Sequence, residues 1–444
     1  MKIAIVGAGI SGLSTAFYLQ RVRPEWELAI FDSNSAPGGT MYTAEVEGFR
    51  FEAGGNGFLT NKPDSMQLVE DVRANELLLP SSDAARRRFI YRDRLHPLPE
   101  SPSAFLKTKL ISWPTKFRVA GEFFVRAKKG GAPETLQQFG YRRVGKGFTD
   151  VFLDAMVAGI YATTPDKISV DAAFPLVTTL ERDHGGLFRG MLAKRKKEAG
   201  PGGILMSFKN GVSTLIEHLH ANIRADWHLG TAVTALSRGE ERYTLEVGGA
   251  SHEADRVIVA TPSVIAAGIV RSLDGELADR IAAINYSPVA VVGMGYRKLE
   301  YDLNGFGLLT TSSAKLPVLG VLWDSSIFPD RAPDGGKILR VIIGGQRNPE
   351  LVDQDSAGLI GNALDGVRAT MGVTAAPDIT YVKRWPRGIA SYAPGHIARV
   401  DAIFERLTEH NGLYMNNNAY RGIAMNDCVR NGRKLAERIV AEIS

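Results

Sequence analysis

Lys2-Ile3-Ala4-Ile5-Val6-Gly7-Ala8-Gly9-Ile10-Ser11-Gly12-Leu13 is the stretch that decides the fold. Its first five residues read as a buried strand, G-x-G-x-x-G follows at once, and Leu13 to Gln20 predict an amphipathic helix. A glycine motif of this kind is informative only in a strand–turn–helix context, which it has here. Gly7 permits the tight turn, Gly9 lets backbone N–H groups approach a pyrophosphate, and Gly12 with Ala16 lets the helix lie close to the strand. A second strand, Leu28 to Phe31, ends at Asp32, 20 residues beyond Gly12, where a carboxylate can accept ribose hydroxyls. The stretch predicts an α/β fold with a Rossmann-like dinucleotide site.

Around it lie 444 residues, enough for about three packing units. The content is 44% hydrophobic and 23% charged, with 47 glycines and 21 prolines, which excludes disorder, collagen and coiled coil. A single cysteine excludes an internal disulfide and a cysteine zinc cage, so no metal is expected. Val257 to Val270, the longest nearly apolar stretch, is 14 residues long and contains Pro262, short of the ~20 needed to span a bilayer. The apolar run after Lys2 is interrupted by Gly7, Gly9 and Gly12, so the N-terminus reads as mature fold and favours a cytoplasmic origin.

The net charge of +5 is too small to argue for nucleic acid. It is, however, local. Between Ala84 and Gly130, 12 Lys or Arg face 3 acidic residues, while the rest of the chain carries 41 basic and 45 acidic residues. Phe105 to Arg118 interleaves bulky apolar side chains with cations, and Phe123-Phe124-Val125 continues the pattern before Lys128-Lys129. That mixture suits a membrane interface, and it also suits an amphipathic helix laid on the core with its lysines solvated. Lys194-Arg195-Lys196-Lys197 lacks aromatics and reads as an exposed loop before Gly200.

No second G-x-G-x-x-G occurs; Gly293-Met294-Gly295 lacks a third glycine and a following helix pattern, so no separate NAD(P) domain is expected. Thr231-Ala232-Val233 and Asp255 to Pro262 read as strands returning to the nucleotide sheet, which makes that domain discontinuous. Gly38-Gly39 and Thr43, shortly after Asp32, resemble the second glycine pair of FAD oxidases of the amine oxidase type, whose loop also faces the pyrophosphate.

Phe51-Glu52-Ala53-Gly54-Gly55-Asn56-Gly57-Phe58-Leu59 resembles one flavoprotein family, the protoporphyrinogen oxidases. Val157 to Ala162 with Pro165 and Ser169, then Ala173-Phe174-Pro175, are similar to its glycine-tyrosine-alanine loop. Gly305 to Leu309, Ser325 to Pro333, Gly344-Gly345, Pro394-Gly395-His396 and Tyr420 to Cys428 match further segments. Departures are Gly55 where the family usually has proline, Ala162-Thr163-Thr164-Pro165 for Ala-Gly-Asp-Pro, Asn417 for a common glycine, and Thr40 where many wider relatives carry a basic residue.

The resemblance implies a discontinuous Rossmann-like FAD-binding domain (1–85, 201–262 and 400–444), an α+β substrate domain with a mixed sheet (86–100 and 263–399) and a helical membrane-associating region (101–200). It implies conversion of protoporphyrinogen IX to protoporphyrin IX, removing six electrons in three two-electron steps, with oxygen or another acceptor reoxidising a noncovalent FAD. By matched position, FAD contacts fall on Gly7, Ala8, Gly9, Ile10, Ser11, Gly12, Asp32, Ser33, Gly38, Gly39, Thr40, Gly54, Gly55, Asn56, Gly57 and Val233. Ile423, Ala424 and Met425 join them, opening a C-terminal helix whose positive end can stabilise reduced flavin.

For the substrate, the resemblance implies that Arg88 pairs with a propionate, that Phe306 packs on the macrocycle with Gly305 and Gly307 letting the backbone come close, and that the carbonyl of loop residue Gly159 accepts a pyrrole N–H. No general base is assigned, since His96 and His396 qualify by residue type alone. Cys428 reads as an ordinary buried thiol. The expected partners are a porphyrinogen and a membrane surface on the inner face of the cell membrane; nucleic acid is excluded and a homodimer is left open. Oxidation of coproporphyrinogen III, a flavin amine oxidase or desaturase, and a noncatalytic FAD or tetrapyrrole carrier are the alternatives.

Overall fold

Strands buried on both faces of a sheet must be apolar along their whole length, and the chain has four such runs. In the structure, a computed structural model that describes residues 1–128, 130–195 and 203–443, they sit in one five-stranded parallel sheet. Its order is Asp226–Leu229, Glu27–Asp32, Lys2–Val6, Arg256–Val259, Leu413–Met415. Lys2–Val6 lies centrally, with Val6 opposite Phe31 on one side and Val259 on the other. The connections diverge on either side of this strand, so its carboxyl end is the switch point at which doubly wound sheets bind ligands.

The expected α/β, Rossmann-like architecture is present, with two local differences. The first helix, Ile10–Val22, is buried from Ser11 to Leu19 and so is not amphipathic. It lies between the sheet, the C-terminal helix Met425–Ile443 and the helix Ser213–Asn222, which leaves no solvent face for polar residues to mark. The strand expected at Thr231 to Val233 is displaced as well: Asp226–Leu229 joins the parallel sheet, and Val233–Arg238 belongs to an antiparallel meander with Tyr243–Val247 and Ala250–Ala254. Asp226-Trp227-His228-Leu229 mixes polar and apolar residues because it is an edge strand.

A second sheet has seven strands, in the order Ile379–Ala390, Tyr286–Tyr296, Lys337–Gly344, Val318–Leu322, Gly307–Thr310, Arg88–Tyr91, Leu95–Pro97. Gly293 and Gly295 lie inside its long strand Tyr286–Tyr296, where the rings of Phe51 and Phe49 occupy the space that their side chains would fill. That close approach, not a nucleotide turn, accounts for the Gly-Met-Gly sequence.

Buried charges fasten the strand Phe49–Glu52 and the loop that follows it to the seven-stranded sheet. Arg340, on Lys337–Gly344, lies 3.0 Å from Asp324 through Nε and donates to the carbonyls of Glu52 (3.2 Å) and Gly54 (2.6 Å). Arg331 meets Glu52 at 3.1 Å, and Glu52 also accepts from the Thr43 hydroxyl and the Val212 N–H. All four charged side chains are almost fully buried, and burial pushes the Glu52 carboxyl up to about 7 against the pull of Arg331.

The described residues between 102 and 195 form helices joined by loops and divide the aromatic-basic segment between inside and outside. Leu110 and Ile111 are buried, with Phe105 packed against them. Leu106, Trp113, Phe117, Phe123 and Phe124 face outward, Phe117 at 71% and Phe124 at 81% exposure. Lys116 is buried instead of solvated, because its ammonium donates to the Leu106 and Thr108 carbonyls at 2.7 Å each. Of the run expected to be an exposed loop, residues 194 and 195 end the helix Leu187–Arg195, while 196 and 197, like Lys129, lie outside the described residues. Among the described residues no helix is long and apolar enough to cross a membrane.

Removing one partner of a buried ion pair leaves the other charge uncompensated, at a cost of about 3–5 kcal/mol. Arg340→Met should therefore lower the urea midpoint by a corresponding amount, and Arg340→Met with Asp324→Leu should recover most of the loss. A single variant within about 1 kcal/mol of the parent would show that Arg340 does not hold the loop after Glu52 on the seven-stranded sheet.

Candidate functional site

At the switch point a cleft of about 720 Å³ opens between the two sheets, within the size range of cofactor pockets. One wall is the glycine-rich turn. Gly7 has φ +110°, and its N–H donates to the Phe31 carbonyl at 2.7 Å. A side-chain carbon on Gly12 would collide with the Gly7 carbonyl oxygen, so the helix can start directly off the strand only because Gly12 has none. A Cβ on Gly9 would meet no protein atom within 4 Å; its open side belongs to the cleft.

The second glycine pair lies against the first. Gly38 donates to the Ala8 carbonyl at 2.8 Å, and Gly9 and Gly38 form a parallel bridge. Asp32 accepts from the Ala8 N–H through Oδ2, and from the Asn34 N–H and amide through Oδ1, all at 2.8 Å. Three of the roughly four acceptor sites of a carboxylate are thus used, leaving one for a hydroxyl. The strand end, first turn and second turn form one rigid cradle of backbone N–H groups.

Of the residues expected to contact a cofactor, Gly7, Gly9, Ile10, Ser11, Asp32, Ser33, Gly38, Gly39, Thr40 and Val233 line this cleft. Ala8 is buried beneath it, and Gly12 is packed under Gly7. Gly54 to Gly57 and Ile423 to Met425 lie outside the cleft walls. They converge beside it: Gly54 packs on the Thr40 carbonyl, while Asn426 donates to the Leu59 carbonyl at 3.2 Å and accepts from the Ser65 N–H at 3.3 Å. The helix begins at Met425, as expected, so its positive end points at this convergence. Cys428, also on the cleft wall, has its thiol pushed up to about 11 by burial, which leaves it a poor nucleophile at neutral pH.

The three expected substrate residues gather around the neighbouring strands Arg88–Tyr91 and Gly307–Thr310 of the seven-stranded sheet. Arg88 pairs in register with Gly307, and its guanidinium carbon lies 5.2 Å from the centre of the half-buried Phe306 ring. Gly159 faces Leu309, two residues farther along. Two local readings change. Gly159 lies in the last turn of the helix Asp154–Tyr161, not in a loop; its carbonyl accepts no hydrogen bond from the described residues, since the Ala162 N–H goes to Ala158. Gly305 and Gly307 serve the protein's own packing and do not clear a path for a flat ligand: side chains there would strike Phe89 and Trp323, and the Val321 carbonyl.

Neither histidine supplies a general base. His96 pairs with Asp93 at 2.9 Å in the hairpin ending at Pro97. His396 is stacked on Tyr392 with ring centres 4.1 Å apart, its Nε2 is 3.0 Å from the Tyr420 carbonyl, and burial holds its pKa below the ordinary value. It lines a second cavity of about 570 Å³ that also takes in Tyr161, Gly422 and Ile423.

Sequence reading missed part of the site. Lys383, Trp385 and Arg387 close the far side of the 720 Å³ cleft from the edge strand Ile379–Ala390, and Asp154 with Arg347 (3.0 Å) anchors the helix that carries Gly159. The spacing of Lys383, Trp385 and Arg387 was visible, but only pairing with Tyr286–Tyr296 brings that strand over the glycine turns.

The comparisons with known proteins agree with this geometry. A Coproporphyrinogen III oxidase of Bacillus subtilis (strain 168) is 28% identical, covering 97% of this chain and 96% of its own. A chloroplastic protoporphyrinogen oxidase of Oryza sativa subsp. japonica is 29% identical, covering 98% and 87%. A crystal structure from Exiguobacterium sp. 255-15, provisionally assigned as a protoporphyrinogen oxidase, superposes with a TM-score of 0.88 at 25% identity over 99% of both chains. Residues 10–440 match the family described as flavin containing amine oxidoreductase. With its glycine cradle and full-length match, the chain belongs to that family and is an FAD-dependent oxidoreductase.

Proposed function

We propose that the protein oxidises protoporphyrinogen IX to protoporphyrin IX. The observation that carries this reading is the juxtaposition of Arg88 and Phe306, a cation and an aromatic face 5.2 Å apart on the sheet across from the dinucleotide cleft. A porphyrinogen needs an apolar platform for its macrocycle and a cationic grip for its propionates. Phe306, packed against the cluster of Ala85, Ile327 and Phe328, provides the first, and the planar guanidinium of Arg88 the second, through two parallel hydrogen bonds. Gly159 adds a free carbonyl within reach of the same strand, suited to hold a pyrrole N–H.

Bound FAD supplies a two-electron acceptor, so aromatisation takes three turnovers that together remove six electrons and six protons. With oxygen as terminal acceptor, three O2 are reduced to three H2O2 per porphyrin. The chain's part is to seat the noncovalent cofactor on the Gly7–Gly12 and Gly38–Thr40 turns, with Asp32 on a ribose hydroxyl. Gly54 to Gly57 and Ile423 to Met425 flank the ring end, and Val233 lies on the cleft wall. In this reading 1–85, 201–262 and 400–444 form the cofactor domain, 86–100 and 263–399 the substrate domain, and 101–200 the membrane-associating region. The outward aromatics Trp113, Phe117 and Phe124, flanked by the exposed Lys107, Lys109 and Lys128, support peripheral contact with the inner face of the cell membrane. The near full-length match of both chains to the Bacillus subtilis relative favours coproporphyrinogen III as the second reading.

Anaerobic addition of protoporphyrinogen to holoenzyme should bleach the flavin absorbance, and aerobic turnover should yield three peroxides per porphyrin. Unbleached flavin would overturn the reading, and a large kcat/KM preference for coproporphyrinogen would move it to the second substrate. Arg88→Ala should raise KM about tenfold or more with a smaller change in kcat, the expected loss for a charged hydrogen bond; unchanged KM would remove Arg88 from the site. The protein should float with anionic liposomes, and Phe117→Ser with Phe124→Ser should abolish flotation without altering the melting temperature.

A further inference from the structure

The cofactor that the glycine turns receive carries a diphosphate with two negative charges. Backbone N–H groups and a helix end offer dipoles equivalent to only about half an elementary charge, and the second turn, Gly38-Gly39-Thr40, has no cationic side chain. The carboxylate of the cleft wall, Asp32, adds a negative charge of its own. Full positive charge has to enter from elsewhere.

It enters from the other sheet. Lys383 and Arg387 line the same cleft as Gly9, Ser11 and Gly39, on the strand that faces them. Lys383 and Trp385 are two residues apart and so share a strand face, whereas Arg384 points away and donates to the Gln354 carbonyl at 2.7 Å. The Trp385 ring is pinned by a 2.7 Å hydrogen bond from its Nε1 to the Ala53 carbonyl, and the Lys383 ammonium lies over it, 4.6 Å from the ring centre. Arg387 follows where the pairing with Tyr286–Tyr296 shifts register between Ser287 and Val289. Among the described residues neither Lys383 nor Arg387 has a carboxylate within ion-pair distance. Two uncompensated cations facing a cradle of N–H groups form a two-sided anion site.

We propose that Lys383 and Arg387 bind the diphosphate of FAD from across the cleft, as the cationic complement to the glycine turns, with Trp385 holding Lys383 in place. The proposal rests on the seating of FAD at those turns. It makes cofactor retention depend on the seven-stranded sheet, the same sheet that carries Arg88 and Phe306. The cofactor and substrate sites thereby share one rigid body.

FAD release from holoenzyme, followed by the recovery of free-flavin fluorescence on dilution, gives the Kd at increasing ionic strength. Lys383→Met with Arg387→Gln should raise the Kd at least tenfold, as expected for lost charged hydrogen bonds, and should flatten its salt dependence because the screened pairs are gone. Lys383→Arg with Arg387→Lys should keep the parent Kd, and Arg387→Glu, at an exposed position, should weaken binding more than Arg387→Gln while the far-ultraviolet spectrum stays that of the parent. Gly9→Val serves as the reference for the seating. If Gly9→Val loses FAD while the charge variants keep the parent Kd and salt slope, the proposal is wrong and the seating stands. If Gly9→Val also retains FAD, the seating fails and the proposal falls with it.

Discussion

Between the carbonyl oxygen of Gly7 and the α-carbon of Gly12 there is no room for a methyl group, and much of the molecule depends on that approach. It allows the first helix to leave the first strand without a spacer, so the helix axis lies flat on the sheet and its opening N–H groups face the strand's carboxyl end. Because this helix is then buried on all sides, it becomes the surface on which Met425–Ile443 packs, and the two ends of the chain are brought together. The Leu413–Met415 strand that precedes the last helix completes the sheet beside Arg256–Val259. A cofactor site made from both chain ends exists only when the whole chain has folded.

The two sheets are joined by a shared apolar cluster, and buried charge fixes the loop beside the cleft. One hydrophobic cluster runs from Val6 and Val259 of the parallel sheet to Ala390 of the seven-stranded sheet, and the loop between the sheets, residues 52 to 57, is held by guanidinium groups reaching into it. Buried ion pairs give little net stability compared with apolar replacements, yet they are unforgiving of geometry. Arg340 can satisfy the Glu52 and Gly54 carbonyls and Asp324 in only one arrangement. That suits a boundary where a cleft must keep its width.

Legibility differed from element to element. The first strand, glycine turn and Asp32 could be read because each residue's role is local: a strand five residues long, a turn with a positive φ and a carboxylate at the next strand end. The Gly159 helix could not, because Val157 to Ala162 is equally compatible with a loop, and its helical state depends on Asp154 meeting Ser312 and Arg347 from a distant part of the sheet. The strand Val233–Arg238 was assigned to the wrong sheet for a related reason, since alternation shows that a segment is a strand and not which strands flank it.

The aromatic-basic segment marks the same boundary between local and distant information. Its composition admits a lipid-facing surface or an ordinary packed helix, and the fold uses some of it for each, turning Phe105, Leu110 and Ile111 inward and Trp113, Phe117 and Phe124 outward. By itself the sequence determined the parallel-sheet class, the dinucleotide turn and the flavoprotein resemblance, all carried by side chains within a few positions of one another or by motif. Tertiary structure alone decided that Arg88, Phe306 and Gly159 come together around two neighbouring strands, that Lys383 and Arg387 line the cleft of the glycine turns, and which aromatics reach solvent. Those facts depend on pairing between segments distant in sequence, such as Arg88 with Gly307 and Val289 with Trp385, and pairing is set by the packing of the whole chain, which no local pattern encodes.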